Sequence, residues 1–268
     1  MSLEKDYYEN EIFWSLSNLQ GLELERISKS YKLIPDDAGS VLDAGCGNGV
    51  FLNYILSKAP RQKFTNLIGV DTCKTALKYV NTKKINASIT KLPFPDKSYD
   101  LVSALEVVEH LNVQDLGMAL QELARTSNKY ILISVPYCQI LEDGFVQCPQ
   151  CKSKFNLVHH KRSFDKETIT TLFDKFGYHC TKLELVGIQK ELALLMPIYR
   201  LYKKINPPPI RINTPCPVCS NHILAPEEHK GNAASNPYRK IATVSKILWK
   251  FWPTISSYRW VICLYEKN

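Results

Sequence analysis

The 268-residue chain has no long apolar run. None approaches the ~18 residues needed to cross a bilayer, so no membrane-spanning helix is expected. Its first ten residues, Met-Ser-Leu-Glu-Lys-Asp-Tyr-Tyr-Glu-Asn, are polar and charged. An export signal would start basic and continue apolar. The chain also lacks an even number of cysteines: it has nine, four of them in two C-P-x-C pairs. Without an export signal, that pattern favours thiols and metal over a disulfide framework, and a cytoplasmic location. No RNA-binding module is visible, and there is no internal repeat beyond the cysteine pairs. Acidic residues are scarce in one region. Between Leu192 and Trp252 nine basic residues face only Glu227 and Glu228, which accounts for nearly the whole net charge of +8. The rest of the chain is therefore close to neutral, and its 45 % hydrophobic content is ordinary for a globular protein.

What is present is concentrated in Val41-Leu-Asp-Ala-Gly-Cys-Gly-Asn-Gly-Val50. An apolar, strand-like run reaches Asp43, glycines alternate at Gly45, Gly47 and Gly49, and a helical pattern follows. Glycine lets the backbone turn tightly and approach a ligand with no Cβ between. A dinucleotide fingerprint would read G-x-G-x-x-G, but here Val50 stands where the last glycine belongs. Asp43 would repel a pyrophosphate and suits an ammonium group instead. S-adenosylmethionine carries an amino-acid tail, a sulfonium and a ribose, and no phosphate.

Five segments in order resemble the class I S-adenosylmethionine-dependent methyltransferases, in the type 11 group that includes the ubiquinone and menaquinone methyltransferases. They are the glycine run, Leu67-Ile-Gly-Val-Asp71, Lys91-Leu-Pro-Phe-Pro-Asp-Lys-Ser-Tyr-Asp-Leu-Val102, and Val107-Val-Glu-His-Leu111 followed by Tyr130-Ile-Leu-Ile-Ser-Val-Pro136. The resemblance covers roughly residues 38 to 188. It implies an α/β fold with a Rossmann-like, seven-stranded methyltransferase sheet. It also implies that Asp43 holds the amino-acid end of the cofactor, with Gly45, Cys46 and Gly47 passing beneath it. Asp71 lies 22 residues after Gly49, a spacing that suits a carboxylate gripping ribose hydroxyls. Ser88 and Ile89 stand where the family often has Asp-Ala against adenine, so side-chain recognition of the base is in question there. Leu105 and Glu106 should border the methionine part.

Along the chain, residues 1–37 read as a helical extension that caps the cofactor pocket, with Ile12, Phe13, Leu16, Leu19, Leu22 and Ile27 near helical spacing. Residues 38–187 read as the core. Strands are expected near 41–44, 67–71, 86–89, 99–105 and 130–135, and helices near 49–58, 73–81, 113–126 and 165–176. Asp165 is a plausible N-cap and Gly177 a helix stop. The runs 179–186 and 258–265 should pair as the hairpin that ends the family's sheet. Roughly 70 residues separate them, too many for a hairpin loop, so residues 188–257 form an insertion and 258–268 supply the last core strand. The insertion holds an amphipathic stretch from Leu192 to Ile205, the stiff Pro207-Pro208-Pro209 run, and Ile241 to Trp252.

The cysteine pairs Cys148-Pro-Gln-Cys151 and Cys216-Pro-Val-Cys219 each have the form of a metal knuckle. The first falls in the loop 138–160 and the second in the insertion. Facing each other they would give the tetrahedral sulfur set that suits structural Zn²⁺. Free thiols or a redox pair are the alternatives, and His222 could replace a ligand. Cys46, Cys73, Cys138, Cys180 and Cys263 have no partner spacing and read as small apolar residues.

Methyl transfer from a sulfonium asks the protein mainly to position the partners and exclude water. An oxygen acceptor would also use a general base. The candidates are His160, Glu106 and His110, with His159 less favoured. His160 opens His160-Lys-Arg-Ser-Phe164, which resembles an H-x-x-x-F-[ST] segment at the pocket mouth of related methyltransferases. Against these stand plainer roles: His110 bonded to backbone, and Glu106 as a wall of the cofactor pocket. The aromatic and basic insertion could pack on the core, lie peripherally at a membrane surface, or touch RNA. The expected activity is transfer of methyl from S-adenosylmethionine to a small-molecule or glycan/lipid-linked acceptor, on oxygen. An RNA methyltransferase and a non-catalytic cofactor-binding scaffold are the alternatives.

Overall fold

The computed structural model describes residue 14 and residues 19–60, 63–192, 214–219, 221–223 and 254–268. Five strands run parallel: β1 (Ser40–Ala44), β2 (Asn66–Asp71), β3 (Lys83–Asn86), β4 (Tyr99–Leu105) and β5 (Ser127–Pro136). Two long strands complete the sheet, β8 (Tyr178–Leu192) and β11 (Thr254–Lys267), paired antiparallel to each other, with β11 antiparallel to β5. The spatial order is β3-β2-β1-β4-β5-β11-β8. Chain direction across the sheet reverses between β1 and β4, which makes the carboxyl ends of those strands the natural ligand crevice.

Both faces of the sheet are buried, and alternation along the strands divides the core in two. Ile131, Ile133, Val261 and Cys263 join one apolar layer with Leu120, Leu123 and Phe173. Leu132, Ile262 and Leu264 join the other with Ile27, Phe51, Leu52 and Ile55. The helices that cover these faces include α1 (Gly21–Lys32), α2 (Val50–Lys58) and α4 (Val113–Thr126). Asn112 caps α4, its side chain accepting from the Asp115 N–H at 2.8 Å. Among the described residues no helix is long and apolar enough to cross a membrane.

Several expectations need adjusting. The third strand lies at Lys83–Asn86, not at 86–89. It is a charged edge strand with only Ile85 apolar, so it shows no alternation to read; Ser88 sits instead in a tight bridge with Lys91. The helix expected over 73–81 is the short α3 (Lys74–Leu77), started by the Cys73 thiol accepting from the Ala76 N–H. The helix expected over 165–176 breaks into α5 (Lys166–Thr170) and a 3₁₀ turn at Asp174–Phe176. Its β-branched run is a poor helix former, and the Thr170 and Thr171 hydroxyls bond backbone carbonyls one turn back. Asp165 does cap α5, and Gly177 ends the segment at φ 78°. The closing hairpin is longer than expected. Pairing continues to Leu192 and Thr254, so the segment between the strands lies within the expected limits of 188 and 257 and is shorter than expected. The amphipathic stretch after Leu192, the triple proline and the run 241–252 lie outside the described residues, as do Ile12, Phe13 and Leu16.

Candidate functional site

The loop after β1 is the centre of the crevice. Gly45 and Cys46 donate their N–H groups to the Val70 carbonyl at 2.7 and 3.0 Å, folding the loop back on β2. Gly45 has φ +80°, and a Cβ there would lie 2.6 Å from Val107 Cγ2. Gly47 has φ +52°, and a Cβ there would lie 2.9 Å from the Trp14 ring. Both conformation and space therefore demand glycine. Trp14 covers the loop, and its carbonyl accepts from the Asn48 amide. The Cys46 side chain faces away from the crevice: its sulfur packs so close to Gly69 that a Cβ there would meet it at 2.7 Å. Only the Cys46 backbone belongs to the loop, and burial pushes its thiol up.

Asp71 ends β2 and accepts from the Gly47 and Cys73 N–H groups, one on each oxygen, both at 2.8 Å. The loop is thus built around this carboxylate. Asp43 is buried and accepts from the Ser103 hydroxyl at 2.6 Å. Burial raises its pKa to about 7; Asp71 adds to the rise, while Ser103 and Arg26 oppose it. Ser88 bonds Thr90 through their hydroxyls at 2.8 Å, and the Ile89 side chain belongs to the core. Leu105 closes β4 at the crevice, half-buried.

Arg26 was not read from the sequence as a functional residue. It sits on α1, 8 % exposed, its Nη2 donating to Glu23 at 2.9 Å. Its guanidinium lies over the Trp260 ring at 5.4 Å, and its Nη1 has no partner among the described residues. The available signal was positional: helical spacing puts Arg26 on the buried stripe with Leu22, Ser30 and Leu33. A cation on an apolar stripe needs an anion.

Glu106 adopts φ +60°, a left-handed conformation that is strained for a non-glycine residue. Its carboxylate accepts from Ser134 Oγ at 3.1 Å and Trp260 Nε1 at 2.6 Å, one on each oxygen. Burial raises its pKa. Both oxygens are already held by the sheet, one by Ser134 on β5 and one by Trp260 on β11. Next along the chain, Glu109 and His110 lie on a 3₁₀ turn (Val108–His110). Glu109 is fully buried, and burial together with the Glu106 charge pushes its pKa well up. The His110 and His160 rings meet edge to face at 4.7 Å. Desolvation lowers their pKa values to about 3 and about 4, so both are neutral imidazoles. His159, by contrast, turns inward and packs beside Phe155.

The two cysteine pairs also come together. Each C-P-x-C sits at the tip of a short hairpin. The first lies between β6 (Phe145–Gln147) and β7 (Lys154–Asn156), the second between β9 (Thr214–Pro215) and β10 (His222–Ile223). The Cys148 and Cys219 sulfurs are 3.6 Å apart, as are those of Cys151 and Cys216, and all four lie within 4.8 Å of one another. A zinc ion with Zn–S bonds of ~2.3 Å has sulfurs ~3.8 Å apart at tetrahedral angles. The donor set fits the ion. Cys180 and Cys263, which looked unpartnered in sequence, face each other across β8 and β11 with sulfurs 3.7 Å apart.

The methyltransferase-domain family profile matches residues 19–183. The chain belongs to this family. Among curated relatives, the methyltransferase domain is similar to a probable S-adenosylmethionine-dependent methyltransferase of Mycobacterium tuberculosis. The two are 34 % identical over 106 residues, 37 % of this chain and 36 % of that one. It is also similar to a ubiquinone biosynthesis O-methyltransferase of Rickettsia bellii, 34 % identical over 106 residues, covering 36 % and 41 % of the two chains. The matches thus span about two fifths of those relatives' length. Among solved structures, a SAM-dependent methyltransferase from Archaeoglobus fulgidus has the same fold. Its TM-score is 0.52 at 18 % identity, over 96 % of this chain and 99 % of that one.

Proposed function

We propose that this methyltransferase domain transfers the methyl group of S-adenosylmethionine to an oxygen of a small-molecule or glycan/lipid-linked acceptor. The observation that carries the reading is the pairing of charges around the glycine loop. Asp43 on β1 and Arg26 on α1, whose Nη1 has no partner among the described residues, offer an anion and a cation for the two ends of an amino acid. Their mutual influence is felt in the Asp43 pKa. S-adenosylmethionine, when bound, supplies a methyl group activated by its sulfonium.

The rest is work for the chain's own side chains. Asp43 meets the ammonium and Arg26 the carboxylate. Asp71, with its two backbone bonds, keeps lone pairs for ribose hydroxyls. Trp14 covers the loop and excludes water. Leu105 and the strained Glu106 wall the methionine side. His110 and His160, kept uncharged by burial, present lone pairs to the acceptor side, as an oxygen nucleophile requires. The four cysteines would hold a structural zinc that clamps the segment after β8 to the loop after β5, beside the acceptor side. The ubiquinone O-methyltransferase relative supports an oxygen acceptor.

The test is calorimetric titration with S-adenosylmethionine, followed by labelled-methyl transfer to quinols and lipid-linked glycans. Binding plus label recovered as a methyl ether is the expected result. A folded protein that binds no cofactor would sink the enzymatic reading and favour a scaffold. Label recovered in RNA would replace the acceptor class.

A further inference from the structure

Arg162 is a cation without an anion. It is half-buried, so a ligand can still reach the side chain. Its Nε is shut off from solvent and has no hydrogen-bond partner among the described residues. Its Nη2 donates to the Leu111 carbonyl at 2.5 Å, a dipole and not a charge. Desolvation lowers the Arg162 pKa, with no acid near enough to oppose it. Arg125 shows the contrast: Glu122 and Asp96 accept from its guanidinium and raise its pKa. A guanidinium that has lost water and gained no carboxylate is costly. Its planar fork of donors matches the oxygens of a carboxylate or a phosphate.

The surrounding chain sets this cation at the carboxyl edge of the sheet. The Lys161 N–H donates to the Glu109 carbonyl at 2.8 Å, and Tyr137 bridges Phe164. Residues 161–164 are thus tied both to the turn after β4 and to the end of β5. Exposure alternates along this stretch: His160, Arg162 and Phe164 are more buried than Lys161 and Ser163. That is the period of extended chain, and it puts three side chains on one face. His160 meets the His110 ring, Arg162 reaches Leu111, and Phe164 enters the core. Arg162 therefore shares its face with an imidazole that the scheme above turns to the acceptor. The local field is positive as well. His160, His159 and Lys161 all lower the His110 pKa through their charge. Glu109 offsets little of this, because burial favours its protonated form.

We propose that Arg162 binds an anionic group of the methyl acceptor, a carboxylate or a phosphate carried apart from the oxygen that is methylated. The assignment rests on the methyltransferase reading above. The anion supplies the counter-charge that the fold withholds. A charge-assisted bond to a planar guanidinium also fixes the acceptor's orientation, which holds its hydroxyl towards the sulfonium methyl. Arg162 takes no part in the bond changes. It selects acceptors by charge, and a neutral analogue leaves the guanidinium unpaired.

The probes are benzoate and phenyl phosphate, with benzamide as the neutral molecule of the same ring. Full-length protein, isotope-labelled at arginine Nε, is saturated with S-adenosylhomocysteine so that Arg26 is engaged. Each probe is then titrated by nuclear magnetic resonance, and Arg162→Lys assigns the Arg162 signal by its loss. That signal should move with an anion and stay still with benzamide. The anion that binds more tightly identifies the group as carboxylate or phosphate. Arg162→Gln should weaken that anion at least about tenfold, the scale of a charge-assisted hydrogen bond. A signal that moves with neither anion, or equally with benzamide, overturns the assignment. So does unchanged anion affinity in Arg162→Gln. The wild-type signal decides the matter if that variant does not fold. Titration of S-adenosylhomocysteine alone separates the two proposals. An anion bound at Arg162 in a protein that binds no cofactor would sink the methyltransferase reading and leave the anion site standing.

Discussion

Trp260 Nε1 lies 2.6 Å from Glu106 Oε2, across 154 residues of chain. The bond ties the antiparallel strand β11 to the residue that follows β4, and the same indole carries the Arg26 guanidinium on its ring. One side chain therefore joins β11, the residue that follows β4 and helix α1.

Trp260→Phe keeps the ring and removes the donor. Glu106 is then left with Ser134 alone for a buried carboxylate. The expected cost is about 1–3 kcal/mol, read as a lower midpoint in urea, with weaker S-adenosylmethionine binding. An unchanged midpoint would mean that the bond is dispensable.

Arg26→Met should leave the fold intact and weaken S-adenosylmethionine about tenfold or more, the scale of a charge-assisted hydrogen bond. Affinity for 5′-methylthioadenosine, which has no carboxylate, should not change. Equal losses for both ligands would show that Arg26 shapes the pocket and does not bind the carboxylate.

Asp43 sets a pH dependence. Its pKa in the folded chain is about 7, above its ordinary 3.8. Below pH 7 the carboxyl is protonated and must lose its proton to meet an ammonium. S-adenosylmethionine affinity should therefore rise between pH 6 and 8, and fall up to about tenfold per unit below the pKa. The stability sign is opposite: because the fold holds this proton more tightly than the unfolded chain, stability from this group declines as pH rises from about 4 through 7. Asp43→Asn should flatten both profiles, seen by calorimetry at three pH values. A wild-type affinity that does not change with pH would remove the assignment.

Cys148→Ser should release zinc, measured by native mass spectrometry, and raise hydrogen exchange in the β6–β7 hairpin while the central strands keep their protection. Zinc retained with unchanged exchange would end the four-cysteine reading.

The order of parallel strands, the glycine loop, Asp71 at the tip of β2 and the two cysteine knuckles were legible along the chain. Each is a short-range pattern: apolar runs with turn residues at their ends, or ligands with two residues between them, set by local geometry. The charged edge strand β3 and the broken helix after Asp165 were not legible, because their residues carry no periodic signal. What tertiary structure alone decided is which distant residues converge. The packing of α1 against β8 and α2 sets Arg26 where it influences Asp43. The return of β11 beside β5 sets Trp260 against Glu106. The segment laid along the end of β5 carries His160 to Glu109 and His110. Periodicity tells which face of an element is buried, whereas the partner waiting on that face depends on the strand order of the whole sheet.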